Sequence, residues 1–118
     1  MKREVSILLK DFGIAPHLHG YKFLGEAIEL IQADDSLIHQ ITKVLYPTIA
    51  KTFNTKASAV ERDIRHSISH GFRRIDKKLL REAFGNTLGS TTPTNSHFIA
   101  TLVEVLEERM SKIGDAKI

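Results

Sequence analysis

Every long segment of this 118-residue chain spaces its apolar side chains three and four apart, and none alternates them at two. A chain so patterned folds into helices and has no sheet to build on. Val5, Leu8, Leu9 and Phe12 share one face over residues 4–12, a helix that Gly13 ends. A connection through Pro16 leads to a second helix over 21–33, with Phe23, Leu24, Ala27, Ile28 and Ile31 inward. Asp34, Asp35 and Ser36 offer caps for a third, which carries Leu37, Ile38, Ile41, Val44 and Leu45 and ends near Tyr46, because Pro47 suits the first turn of the next helix. Further on, Asp76 caps a helix with Leu79, Leu80, Ala83 and Phe84 inward, and Gly85 and Asn86 stop it. After a loop over 85–94, Thr94 or Asn95 caps the last helix, whose core side is Phe98, Ile99, Leu102, Val103, Leu106 and Met110. From Gly114 the tail is expected to fray. The expectation is one compact all-α domain of six or seven helices over residues 1–118.

Residues 49–68, IAKTFNTKASAVERDIRHSI, read as a short helix, a tight turn and a second helix, so a helix-turn-helix is expected over about 47–72. Ile49 and Phe53 face inward, and Ala50 is small enough for a second helix to cross closely. Asn54 suits the left-handed conformation that such a turn requires. Ser58 and Glu61 have the spacing of a capping box. At 100° per residue Val60, Ile64, Ile68 and Phe72 form the buried stripe, while Ser58, Glu61, Arg62, Arg65 and Ser69 point the other way. Outward arginines near the start of a recognition helix suit bidentate contact with guanine O6 and N7, and Glu61 could accept from cytosine N4. Lys51, Lys56, Arg73, Arg74, Lys77 and Lys78 flank this face and suit phosphates. Arg73 and Arg74 equally suit the role of solvated charges at a helix C-terminus.

The net charge of +3 is unevenly spread. Residues 43–81 hold ten Lys/Arg against three Asp/Glu, a local +7, whereas the segments on either side are each −2. Such a field attracts phosphate backbones, although a solvated basic face would carry the same charge.

The segment ITKVLYPTIAKTFNTKASAVERDIRHSI, with IAPHLHGYKFLGEAI before it and FGNTLGSTTPTNSHFIA after it, resembles the C-terminal DNA-binding effector domain of the stage 0 sporulation protein A family. The likeness covers about residues 5–107, and its motifs LYPxIAKxFNTxASxVERxIRH and PTNSxFIA are far more specific than a generic helix-turn-helix. It implies a sporulation response regulator of endospore-forming bacteria, part of a two-component system. Such an effector binds TGTCGAA-type boxes in double-stranded DNA and activates or represses promoters, in part through RNA polymerase with its sigma factor. It implies base reading by Glu61, Arg62 and Arg65, a backbone or nearby contact for His66, and tandem copies on adjacent boxes. The stretch GFRRIDKKLLRE follows the family only loosely, and Gly25 stands where a larger charged residue is expected. No receiver pattern accompanies the effector, which fits either an excised fragment or a stand-alone protein.

Other functions find less support in the residues. His66 and His70 lie four apart and His17 and His19 two apart, but no HExxH or comparable motif joins them, so no metal, cofactor or catalytic residue is expected. Without cysteine there is no disulfide framework or thiolate chemistry, and without an apolar run of about 18 residues or a cleavable leader the expected location is the bacterial cytoplasm, not a membrane. The remaining alternative is a helical protein-interaction module with a basic docking face. It explains the charge but not the conjunction of turn, cap and outward arginines.

Overall fold

Phe12 is the point on which the helices converge: it meets Phe84 and Phe98 edge-on, each at 6.3 Å between ring centroids. The computed structural model describes residues 1–86, 88 and 91–116 and is all-α. Six α-helices are described: α1 (Arg3–Asp11), α2 (His19–Ala33), α3 (Tyr46–Thr52), α4 (Ala57–Gly71), α5 (Lys77–Phe84) and α6 (Asn95–Ala116). Short 3-10 turns cover Asp35–His39 and Phe72–Arg74, and a π turn covers Ile41–Leu45. The apolar faces read from the spacing of α1, α2 and α4 are the buried ones: Val5, Leu8 and Leu9, then Phe23, Leu24, Ala27, Ile28 and Ile31, then Val60, Ile64 and Ile68.

Two helices end by the same device. At the close of α1 the Gly13 N–H donates to the Lys10 carbonyl and the Ile14 N–H to the Leu9 carbonyl, both at 3.0 Å, while Gly13 takes φ +80. This is a Schellman closure, in which a left-handed residue lets two N–H groups fold back onto orphan carbonyls. At the close of α3, Asn54 takes φ 53 and Thr55 donates to the Ala50 carbonyl at 2.9 Å. Asn tolerates this backbone because its short polar side chain lowers the left-handed penalty. The turn expected at Asn54 is therefore present.

Two expectations need correction. The third helix does not run from 37 to 46 as one element. It breaks at Gln40 (φ −135, ψ 39), and its second half is a π turn that passes into α3 without interruption. Both Val44 and Leu45 donate to the Gln40 carbonyl, at 2.9 and 3.1 Å, so the widened pitch is set before Pro47, which lies in the first turn of α3 where its missing N–H is tolerated. Met110 is not a core residue: it is 39% exposed, because the buried face of α6 ends at Leu106. The helix α6 is continuous through Gly114 to Ala116; residues 117 and 118 lie outside the described ones.

Small residues set how closely α4 lies against the rest. A methyl group on Gly20 would run into the Ser67 side chain and the Asp63 carbonyl, and one on Gly71 into the Gly13 carbonyl. Ser67 and Gly71, four apart on α4, thus form a flat inner strip against which α2 and the α1 turn press. Gly25 is buried beneath the Met1 side chain, whose flexible end fills the space where a larger residue was expected.

Candidate nucleic-acid interface

The start of α4 differs from the expected one. The helix begins at Ala57, after Lys56 in extended conformation, and no side chain caps it. Ser58 is therefore already inside the first turn, and Ser58 with Glu61 forms no capping box. Ala59 and Val60 instead donate to the Lys56 carbonyl at 3.0 and 3.1 Å. Glu61, freed of capping, meets Arg65 one turn on, with Oε1 3.5 Å from Nε. By contrast, Asp76 does cap α5, accepting from the Leu79 N–H at 3.3 Å, and Thr94 rather than Asn95 caps α6, accepting from the His97 N–H at 3.2 Å.

On the outer side of α4 the side chains of Ser58, Arg62, Arg65, His66 and Ser69 are exposed, and Glu61 is half-buried. Ser58, Arg62, Arg65 and Ser69 recur at i, i+4, i+7 and i+11, so they form a line along the helix. Arg62 is 64% exposed and meets Asp63 through Nε at 3.4 Å; Arg65 is 58% exposed and likewise engages Glu61 through Nε. In both, the contact through Nε leaves the two terminal nitrogens, the pair that matches a guanine edge, without a partner among the described residues. Lys51, Lys56, Arg73 and Arg74 are exposed at the two ends of this face, as are Lys77 and Lys78 beyond them.

Behind that face stands a residue to which the sequence reading gave no such role. The Asn95 amide, in the first turn of α6, donates to the Glu61 carbonyl at 3.0 Å and to the Tyr46 hydroxyl at 3.2 Å. The available signal is the PTNS motif, whose spacing marks Asn95 only as an alternative cap. Tyr46 is buried, and burial raises its hydroxyl above the ordinary 10.0; the Asn95 hydrogen bond opposes this and the charge of Glu61 adds to it.

Among the described residues no three His, Cys, Asp or Glu side chains gather as metal ligands do, and no helix is long and apolar enough to cross a membrane. His66 and His70 do not converge: His66 is exposed, whereas His70 is half-buried and meets the His17 ring edge-on at 6.2 Å.

Against known families, the model described as sporulation initiation factor Spo0A C terminal matches residues 5–106. The chain belongs to that family. The Spo0A C-terminal domain is a DNA-binding regulatory domain of sporulation. In this member the segment bearing the outward arginines, α3 to α4, falls wholly inside the matched residues.

Proposed function

We propose that α4 is the recognition helix of a sequence-specific transcription regulator and reads TGTCGAA-like boxes in the major groove. Glu61, Arg62 and Arg65 read base edges. Lys51, Lys56, Ser58, His66, Ser69, Arg73 and Arg74 hold the backbone on either side. The helices act as one effector unit with the helix-turn-helix at about 47–72, and it regulates promoters in part through RNA polymerase with its sigma factor. One recognition helix of this size covers limited DNA surface, so adjacent copies on neighbouring boxes supply useful affinity.

The observation that carries this reading is the outward line of Arg62 and Arg65 with their terminal nitrogens free, on a helix whose opposite face is fully buried. A helix docked on an acidic protein would need the charge but not this arrangement. Fluorescence anisotropy with a labelled TGTCGAA duplex and a scrambled duplex, at two salt concentrations, tests it. The expected result is tighter binding to the box by about tenfold or more, with affinity for both duplexes falling steeply as salt rises. Equal affinity for the two duplexes would overturn base reading and return the basic face to a protein-docking role.

A further inference from the structure

We infer that Asn95 is a positioning residue for DNA specificity: its amide clamps the roll of α4 at the turn that carries Glu61, Arg62 and Arg65. This rests on the reading of α4 as the recognition helix. The side-chain amide has two hydrogens and spends both, one on the Glu61 carbonyl at 3.0 Å and one on the Tyr46 hydroxyl at 3.2 Å. The clamp therefore joins the first helix of the motif, the second helix and α6. The carbonyl it takes hold of is the one that closes the helical turn onto the Arg65 N–H, so the bond acts between the base-reading side chains and not at a remote end.

The post that carries the amide is firm. Thr94 caps α6 through the His97 N–H, and Phe98 and Ile99, one turn on, are wholly buried. The tight approach of Gly20 to Ser67 and of Gly13 to Gly71 fixes the middle and the end of α4. Gly20 also meets the Asp63 carbonyl; ahead of Asp63, at Glu61, Asn95 supplies the polar tie. Small motions count at this place: a roll of about 10° moves an atom about 6 Å from the helix axis by about 1 Å, enough to spoil a bidentate pair with a guanine edge. Non-specific attraction to phosphates is insensitive to such a roll. Loss of the clamp should then cost discrimination and not general affinity.

The test measures affinity of Asn95→Ala, Asn95→Asp and Tyr46→Phe for the TGTCGAA duplex and a scrambled duplex, with thermal denaturation to give the folded fraction at the assay temperature. For Asn95→Ala the ratio of specific to scrambled affinity should fall about three- to tenfold while scrambled binding stays unchanged. Asn95→Asp keeps the shape but turns a carboxylate oxygen toward the Glu61 carbonyl, and should fall at least as far. Tyr46→Phe keeps the ring and removes only the acceptor, so it preserves the fold where the Asn95 variants fail; it should show a smaller loss in the same direction, not additive with Asn95→Ala. A lower melting temperature with an unchanged ratio would make Asn95 merely structural and overturn the clamp. So would equal loss on both duplexes, which would make Asn95 a contributor to general DNA binding and not to discrimination. If the wild-type chain itself fails to discriminate, the reading of α4 falls and the clamp with it; if it discriminates and the variants do so equally well, only the clamp falls.

Discussion

An arginine that is to read a guanine must reach the groove with its terminal nitrogens unspent and at small cost. Arg62 and Arg65 satisfy both conditions, because each is more than half exposed and its one contact, to Asp63 or Glu61, is a surface ion pair through Nε. Such pairs contribute about 0–1 kcal/mol, so they orient the guanidinium in the free protein without competing seriously with a base. Ser58, in contrast, loses the role its spacing suggested. It follows the true N-cap, Lys56, by two positions, and its side chain caps nothing. Ser58→Ala should therefore change stability by no more than about 0.5 kcal/mol. Asp76→Ala, which removes the oxygen accepting from Leu79, should cost about 1 kcal/mol. Chemical denaturation of both variants checks the pair, and a larger loss at Ser58 than at Asp76 would contradict the cap assignment.

At the scale of elements, the position of α4 is set by what is missing from its inner face as much as by what fills it. Gly20→Ala would push a methyl into the Ser67 side chain and the Asp63 backbone carbonyl, so one element must shift. Overpacking of this kind costs about 1–3 kcal/mol, and a drop in the denaturation midpoint of that size is expected. Stability equal to wild type would mean that α2 and α4 are more loosely apposed. The helices themselves were legible in the sequence wherever one face is continuously apolar, as in α1, α2 and α4, because burial alone selects that spacing. The turn at Asn54 was legible because only a few residue types tolerate its backbone. The π turn before Pro47 was not: Ile41, Val44 and Leu45 fit a regular helix equally well, and the extra residue per turn shows only in how the Gln40 carbonyl is shared. Met110 misled for a related reason, since periodicity marks a face but not where the partner helices stop. The tie that Asn95 makes was not legible because its partners are a backbone carbonyl and a hydroxyl 34 and 49 residues away, a relation no local spacing records.

For the molecule as a whole, the ties between α3, α4 and α6 make stability depend on alkaline pH. Burial lifts the Tyr46 hydroxyl above 10.0, so the folded state holds its proton more tightly than the unfolded chain. That contribution is fully present below the unfolded value and is lost as pH rises through the folded one. Melting temperature should therefore fall above about pH 10, and Tyr46→Phe should flatten that part of the decline; an unaltered alkaline slope in Tyr46→Phe would place the titration elsewhere. The central claim, that α4 reads guanine edges through its arginines, is tested most directly by a cycle across protein and DNA. Affinities are measured for wild type and Arg62→Ala, and separately Arg65→Ala, on the TGTCGAA duplex and on duplexes in which one guanine at a time is replaced by 7-deazaguanine, which lacks the N7 acceptor. Each arginine should have one guanine at which the two losses, about 1–3 kcal/mol apiece, fail to add because they remove the same contact. Full additivity at every guanine, for both arginines, would contradict the account.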